Sequence, residues 1–222
     1  MNEIKITFIR HGTTANNVEG RWSGRSDSVL LDSSKKQISD MVKKYPYQRP
    51  DWIVSSPLLR CIETTKLSFP TRDFEVFEDL QEMSFGICEG ELVSETFKNK
   101  ELLKKWVEQD TTFRLPKGES TKELAVRVDS VIRRIITIAF EKNYKNVAVV
   151  THGMVMSVML SILAFGLDVS GFSLTPNGMG ITFTVNKQDL KTEKPLKYFE
   201  DAPKNAPRPD MSKSKYFNSS EE

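Results

Sequence analysis

The chain of 222 residues is 38% hydrophobic and 28% charged, an ordinary composition for one globular domain with a sizeable core. Lys and Arg number 32 against 30 Asp and Glu, so the formal charge of +2 gives no long-range field suited to nucleic acid or to a membrane surface. Any anionic ligand must therefore be held by local groups.

The cysteines and the N-terminal residues indicate the cellular compartment of the protein. Cys61 and Cys88 form neither a CxxC motif nor a Cys/His cluster, which argues against a zinc site and a disulfide scaffold. Residues 1–3 contain no basic region, and no apolar run approaches the ~18 residues of a transmembrane helix. We therefore expect a cytoplasmic protein with reduced thiols, and neither secretion nor membrane insertion.

Residues 4–9 alternate β-branched or aromatic side chains with polar ones and predict the first strand. Arg10-His11-Gly12 follows at its carboxyl end. In an open α/β sheet, ligands bind in the crevice beyond the carboxyl ends of the strands. An imidazole beside a guanidinium at this point therefore indicates chemistry rather than packing.

Residues 13–32 are polar and contain several glycines and serines, which predicts a long loop. A connection of that length is usually functional or disordered. It carries four polar side chains soon after the first strand, namely Asn17, Arg21, Ser23 and Arg25. We interpret it as a binding loop, followed by a helix over residues 33–44 whose apolar residues have a helical spacing.

A short apolar strand, residues 52–54, leads into the next helix. Ser56 suits the N-cap of that helix and Pro57 its first position, which places Arg60 one turn inside. Arginine on a helix is most often a solvated surface charge. Because a helix N-terminus already favours negative charge, we interpret Arg60 as an anion clamp.

Residues 74–80 alternate apolar and acidic side chains and predict a third strand. Two carboxylates, Glu82 and Glu89, follow it with glycines nearby. Either one is suited to general acid or base catalysis, and either one alone is equally compatible with a solvated loop acid. Residues 92–109 then predict a loosely amphipathic helix.

The second histidine of the chain repeats the context of the first. Ser120 and Glu123 form a capping box at the start of a long amphipathic helix. The apolar residues 147–150 then predict a strand that ends near His152-Gly153, before another helical pattern. Two strand ends that each finish in His-Gly indicate one shared functional site.

The end of the chain changes in composition. Residues 181–185 predict a last strand that pairs antiparallel at a sheet edge. From residue 191 the chain is rich in Lys, Pro, Ser and acid. We therefore expect one α/β domain over residues 1–190 and a polar tail, residues 191–222, that is disordered or lies on the domain surface.

Two histidines, two arginines and a carboxylate suit a phosphate ester better than a metal ion. The chain has no HxH or HExxH spacing, and cations beside each histidine oppose metal charge. Arginine forks match phosphate oxygens, and neutral imidazole is a competent nucleophile near pH 7. Phosphoryl transfer is mostly positioning and charge stabilisation, so these groups are sufficient without a metal or another cofactor.

Five spaced elements resemble the histidine phosphatase superfamily, in its phosphoglycerate-mutase-like branch. The resemblance spans residues 4–186 and implies a three-layer α/β/α sandwich with a mostly parallel sheet. Its elements in chain order are Arg10-His11-Gly12 with Thr14 and Asn17, Gly20-Arg21 with Gly24 and Asp27, Ser55-Ser56-Pro57 with Arg60 and Thr64, Glu82 with Gly86 and Glu89-Gly90, and Thr151-His152-Gly153.

The resemblance also implies roles for these residues. His11 is expected to be the nucleophile that becomes phosphohistidine, and Glu82 the proton donor to the leaving oxygen. The groups expected to hold the phosphoryl group are Arg10, Arg60 and His152. The residues expected to bind the rest of the substrate are Thr14, Asn17, Ser23, Gly24 and Gly153. The implied activity is a metal-independent phosphatase of the histidine acid type that acts on a small phosphorylated metabolite.

Cofactor-dependent phosphoglycerate mutase is the alternative within the family. Such mutases resemble one another in an Arg-His-Tyr-Gly segment after the acid and in a longer insertion whose paired arginines bind the substrate carboxylate. Here residues 83–86 read Met-Ser-Phe-Gly, and only 61 residues separate Gly90 from His152. Arg133-Arg134 falls inside a core helix, and residues 116–120 resemble the Gly-Glu-Ser turn of the phosphatases. We favour a phosphatase.

The sequence does not decide the substrate, the oligomeric state or whether the protein is a catalyst. Thr13 stands where the family often has Glu, and Ser34 where a glycine commonly opens the first helix. Ribazole phosphatases, sugar bisphosphatases and broad-specificity phosphatases share the motifs, and the oligomeric state has no signature. A non-catalytic phosphoester-binding protein is the alternative from another class. Its expected signature is loss of His11 or Glu82, and both are present.

Overall fold

The structure is a computed structural model that describes residues 2–45, 47–107, 112–164 and 175–187. The strands are β1 (Glu3–Arg10), β2 (Trp52–Ser55), β3 (Glu75–Val76), β4 (Asn146–Thr151) and β5 (Gly180–Asn186). The helices are α1 (Ala15–Glu19), α2 (Asp32–Lys44), α3 (Leu59–Ser68), α4 (Val93–Thr96), α5 (Lys100–Val107), α6 (Thr121–Glu141) and α7 (Gly153–Ala164). Among the described residues, no helix is both long and apolar enough to cross a membrane.

The strands form one sheet in the order β3-β2-β4-β1-β5. Neighbours pair in parallel except β1 with β5, which are antiparallel. The central strands β2 and β4 are buried along nearly their whole length, whereas the edge strand β5 alternates buried and exposed residues over its second half. This pattern is that of a parallel sheet covered on both faces, with an antiparallel strand at one edge.

Alternation along the strands divides the core into two layers. Ile6 and Phe8 of β1 belong to the large apolar cluster that includes α6 and α7, while Ile9 belongs to a second cluster that includes Cys61 of α3. Helix α2 packs against α3 on that second face. Helices therefore cover both faces of the sheet, and the predicted three-layer α/β/α fold is confirmed.

The predicted loop over residues 13–32 was wrong in one part, because it contains helix α1. Thr14 caps this helix through a reciprocal capping box with Asn17, and Gly20 ends it in the left-handed conformation. The helix has only five residues and buries none of them. It therefore has no apolar periodicity for a sequence pattern to reveal.

Three further boundaries differ from the prediction. The third strand is only Glu75–Val76, and residues 78–80 form a 3-10 turn instead of continuing it. Helix α3 begins at Leu59 rather than at Pro57; the Ser56 hydroxyl lies 2.7 Å from Nε2 of His152 and accepts only a long hydrogen bond, 3.5 Å, from the Leu58 amide. The single helix predicted over residues 92–109 is divided into α4 and α5 within the described part. The predicted tail, residues 191–222, lies outside the described residues.

Candidate active site

The register of the sheet brings the two histidines together. Arg10 at the end of β1 pairs with Thr151 at the end of β4, so His11 and His152 follow at neighbouring strand ends. The His11 amide donates to the Thr151 carbonyl at 2.9 Å, and the two imidazole centroids are 5.2 Å apart. Both side chains are buried, with 3% and 0% exposure. The paired His-Gly strand ends thus form one site.

His11 is held in the tautomer that a nucleophile requires. Its Nδ1 lies 2.7 Å from the carbonyl oxygen of Gly12, which only accepts, so Nδ1 carries the proton and Nε2 keeps its lone pair. The Gly12 amide in turn donates to Oγ1 of Thr64 at 2.9 Å. Burial, followed by the charges of Arg60 and Arg10, holds the pKa of His11 well below its usual range. The imidazole is therefore neutral at pH 7.

His152 is neutral for the same physical reasons. Burial lowers its pKa well below the usual range, and the nearby Arg60 charge adds to the effect. Arg60 donates from Nε to Nδ1 of His152 at 3.3 Å, so the remaining proton is on Nε2. Nε2 lies 2.7 Å from Oγ of Ser56, to which it donates. The ring is thus fixed between β2 and α3.

Arg60 is fully buried in the first turn of α3. Its guanidinium donates to the carbonyl oxygens of Ser23, Gly24 and Ser26 at 3.4, 2.5 and 2.9 Å. The side chain lies beside His152, and it also ties the loop after α1 to the histidine pair. Arg10 lies on the other side, where its Nη1 donates to the Thr175 carbonyl at 2.7 Å.

Glu82 is the carboxylate that reaches the histidine pair. Its side chain is 6% exposed and accepts hydrogen bonds from the amides of Met83, Met154 and Val155 at 2.9, 3.1 and 3.3 Å. The last two are orphan amides in the first turn of α7, directly after His152. Burial raises the pKa of Glu82 against the opposing hydrogen bonds and arginine charges. A raised pKa suits a group that donates a proton near neutral pH.

Glu89 has a different environment. Its carboxylate accepts from the amides of Gly24, Arg25, Ser26 and Phe85 at 3.0 to 3.2 Å. Burial alone raises the pKa of Glu89, but these amide hydrogen bonds lower it overall. The Glu89 carboxylate therefore stays ionised and fixes the loop after α1, which Arg60 also binds.

The five residues predicted to bind the rest of the substrate lie around this cluster but differ in their contacts. Thr14 and Asn17 cap α1 through each other. A Cβ atom at Gly24 would clash with Glu89 and with the Met83 carbonyl. Gly153 lies against the Arg10 guanidinium. Ser23 is the exception, since its hydroxyl is buried without a hydrogen-bond partner in the described structure.

The turn at Asn177-Gly178, for which the sequence predicted no functional role, contacts the segment that carries His11. Nδ2 of Asn177 donates to the carbonyls of His11 and Gly12 at 3.0 and 3.4 Å, and the Gly178 amide donates to those of Arg10 and His11. The sequence showed only a Pro-Asn-Gly turn signal. Nothing in it indicated that the turn packs beneath the first strand end.

A three-layer fold with two histidines at adjacent strand ends and two arginines beside them is the architecture of a histidine phosphatase. Residues 6–187 match the sequence model of the histidine phosphatase superfamily (branch 1), and the chain belongs to that family.

Relatives and solved structures agree with this assignment. The chain is 29% identical to phosphoserine phosphatase 1 of Hydrogenobacter thermophilus, over 76% of this chain and 80% of that protein. It is 26% identical to the probable phosphoglycerate mutase GpmB of Proteus mirabilis, over 71% and 74%. The structure of a putative alpha-ribazole-5'-P phosphatase from Escherichia coli superposes with a TM-score of 0.73 at 22% identity, over 83% and 92%. The family and the phosphatase relatives support phosphatase activity on a phosphorylated substrate.

Proposed function

We propose that the protein is a phosphomonoesterase that hydrolyses a small phosphorylated metabolite through a phosphohistidine at His11. The observation that carries the proposal is the His11 tautomer. Its Nδ1 proton is bound to the Gly12 carbonyl, its Nε2 lone pair is available, and its pKa is lowered by burial and two arginines. A neutral, oriented imidazole beside cationic groups is what nucleophilic attack on a phosphate ester requires.

The first half-reaction transfers the phosphoryl group to the protein. Nε2 of His11 forms a bond to phosphorus while the bond between phosphorus and the leaving oxygen breaks. Glu82, whose pKa burial raises, gives its proton to that oxygen, and the alcohol departs. The Gly12 carbonyl continues to accept from Nδ1 and stabilises the positive charge that develops on the ring.

The second half-reaction is hydrolysis of the phosphohistidine. Glu82, now a carboxylate, takes a proton from water as the water oxygen attacks phosphorus. The bond from phosphorus to Nε2 breaks, inorganic phosphate leaves and neutral His11 is restored. We assign Arg10, Arg60 and His152 to hold the phosphoryl oxygens in both steps; for His152 this requires its Nε2 proton to be released from Ser56 Oγ when the phosphoryl group binds. Because the guanidiniums supply the positive charge that magnesium supplies in other phosphatases, we propose a metal-independent reaction of the histidine acid type.

Hydrolysis is favoured over mutase activity by the surroundings of the paired arginines. Arg133 binds Asp129 at 2.8 Å on the same helix, and Arg134 lies over the Phe77 ring at 4.7 Å. Neither is therefore placed to bind a substrate carboxylate. A purely phosphoester-binding protein is disfavoured because His11 and Glu82 each have the protonation behaviour that catalysis needs.

Alkyl phosphate monoesters are the substrate class that we propose. Alcohols are poor leaving groups, and a carboxylic acid in the site is useful mainly for such substrates. Related proteins are named for phosphoserine and for α-ribazole 5'-phosphate, both of which are esters of this kind.

Cys61 and Cys88 are free thiols, and we place the protein in the cytoplasm.

The deciding experiment is to trap the phosphoenzyme. A panel of phosphorylated metabolites is tested for phosphate release with and without EDTA, and the best substrate is labelled with ³²P and quenched during turnover. We expect an acid-labile, base-stable label in the wild type and in His152→Ala, which keeps the nucleophile, and no label in His11→Ala. Undiminished turnover in His11→Ala, or activity that EDTA abolishes and added metal restores, would contradict the proposal.

A further inference from the structure

The segment that carries Glu82 has little regular structure of its own. Residues 78–80 form a single 3-10 turn, and residues 81–85 belong to no strand or helix. Backbone carbonyls in such a segment have no ladder partner and must be bound by other groups if they are buried. The position of Glu82 therefore depends on what holds its neighbours.

Arg127 of α6 supplies much of that support. Its Nη1 donates to the carbonyls of Asp79 and Gln81 at 2.7 and 2.9 Å, and its Nη2 to the carbonyl of Glu82 itself at 3.4 Å. The side chain is 15% exposed. One guanidinium thus binds three carbonyls within residues 79–82, up to and including that of Glu82.

Glu119 binds both the Arg127 guanidinium and the backbone that follows Glu82. Its carboxylate accepts from Nε and Nη2 of Arg127 at 3.0 and 2.8 Å, which fixes the plane of the guanidinium. The same carboxylate accepts from the Ser84 amide at 3.3 Å, and the Glu119 amide donates to the Ser84 carbonyl at 2.8 Å. The backbone is therefore bound both before and after Glu82.

We propose that Arg127 and Glu119 are positioning residues that hold the Glu82 carboxyl at the place from which it protonates the leaving oxygen. This rests on the proposed role of Glu82 as the general acid. The hydrogen bonds run to backbone atoms of the Glu82 segment, so the pair acts through the geometry of Glu82. Only a planar fork can bind three carbonyls and a carboxylate together, so lysine is not an equivalent residue.

The test compares two substrates with different leaving groups. The quantity measured is kcat/KM for glycerol phosphate divided by kcat/KM for p-nitrophenyl phosphate, whose nitrophenolate hardly needs a proton. A small displacement of a reacting group costs up to roughly 10²-fold, so Arg127→Met is expected to lower this ratio by about 10 to 10²-fold. Arg127→Lys and Glu119→Gln are milder changes, and both are expected to lower the ratio as well.

Arg133→Met is the matched control. Arg133 lies on the same helix and has its own ion pair with Asp129, at 2.8 Å, but it makes no hydrogen bond to residues 79–84 within the described part of the chain. The ratio for Arg133→Met is expected to equal that of the wild type. Unfolding midpoints of all variants show whether a loss is structural. If Arg127→Met does not fold, Arg127→Lys and Glu119→Gln carry the test.

A double variant separates this inference from the assignment of the acid. Glu82→Gln alone should lower the ratio, and adding Arg127→Met should lower it no further, because the group being positioned is already lost. If Glu82→Gln leaves the ratio unchanged, the assignment of the acid fails. If Glu82→Gln lowers the ratio but Arg127→Met reduces both substrates equally, or if Arg127→Lys retains the wild-type ratio, the positioning role is overturned.

Discussion

The guanidinium of Arg10 lies against the backbone of Gly153. A Cβ atom at position 153 would come within 3.2 Å of Cζ and Nη2 of Arg10 and within 3.3 Å of Nε. These distances are shorter than ordinary van der Waals contact, so a side chain at this position would require the guanidinium to move by a few tenths of an ångström. The glycine after the second histidine thus acts on the site through an arginine at the other strand end.

Gly153→Ala should therefore lower activity with little change in stability. A shift of Arg10 by a few tenths of an ångström is expected to lower kcat/KM by up to roughly 10-fold on every substrate. Gly153 is the first residue of α7, where alanine gains less than the roughly 0.5 to 1 kcal/mol of a helix interior, so the free energy of unfolding should change little. The same change in an Arg10→Ala background should have little further effect on rate. A loss of stability with unchanged activity would contradict this reading of the contact.

Arg60→Ala should reduce activity on all substrates by a similar factor. Loss of one preorganised donor to developing charge typically costs ~2.7 to 4 kcal/mol, or roughly 10² to 10³ in rate. Because Arg60 also binds the carbonyls of Ser23, Gly24 and Ser26, the variant is expected to unfold at a lower temperature. Initial rates on three unrelated phosphomonoesters check the first point. A loss confined to one substrate would mean that Arg60 recognises the leaving group.

The sequence predicted the centre of the site because one local pattern encodes it. A strand pattern that ends in His-Gly occurs twice, and parallel strands bring their carboxyl ends to one edge of the sheet. The sequence alone therefore predicts that His11 and His152 lie close together, as they do. The same reasoning could not separate Glu82 from Glu89. Both accept amide hydrogen bonds and both are partly or fully buried; burial outweighs the hydrogen bonds at Glu82, whereas the hydrogen bonds outweigh burial at Glu89, and this balance arises from chain segments distant in sequence.

The wrong predictions at Ser56 and at residues 74–80 also arise from contacts between segments distant in sequence. Ser56 has the residue type of an N-cap, but a tertiary contact with His152 uses its hydroxyl, and α3 begins later. Residues 74–80 alternate like a strand, yet only two of them pair with β2. Arg127 gave no signal, because an arginine on an amphipathic helix is ordinary until its carbonyl partners are known. Local propensity was correct wherever tertiary contacts did not compete with it.

The free energy of unfolding should fall as the pH falls through about 6.5. Both histidines have lowered pKa values in the folded state, so below ~6.5 the unfolded chain binds protons that the folded chain does not. This difference amounts to at most roughly 1 kcal/mol per histidine between pH 7.5 and 5.5. Glu82 has the opposite sign, because its raised pKa lets the folded state keep a proton that the unfolded state has lost above ~4.3.

Urea unfolding at the two pH values in a Glu82→Gln background isolates the histidine contribution. We expect a loss of at most roughly 2 to 3 kcal/mol in that background and about half of that loss when His152→Gln is added. The wild type should lose less than the Glu82→Gln variant. Equal stability at both pH values in Glu82→Gln would mean that the folded imidazoles are protonated like free histidine.

The assignment of the general acid can be tested by the dependence of the rate on the leaving group. An alkyl alcohol leaves poorly without a proton, whereas nitrophenolate is a stable anion. Glu82→Gln should slow alkyl phosphates by roughly 10² to 10⁴, the usual contribution of general acid catalysis, and p-nitrophenyl phosphate much less. Glu82 can supply that proton because burial raises its pKa.

Glu89→Gln is the comparison that makes this test specific. Glu89 lies seven positions further along the chain, but its lowered pKa keeps it ionised, and its oxygens bind the amides of the loop after α1. The amide of glutamine cannot accept all of those hydrogen bonds, so both substrate types should slow by a similar factor and the unfolding midpoint should fall. If Glu89→Gln shows the dependence on leaving group and Glu82→Gln does not, the acid is Glu89. Equal losses on both substrates for Glu82→Gln would leave Glu82 with a purely positioning role, because a missing proton donor cannot penalise alcohol and nitrophenolate alike.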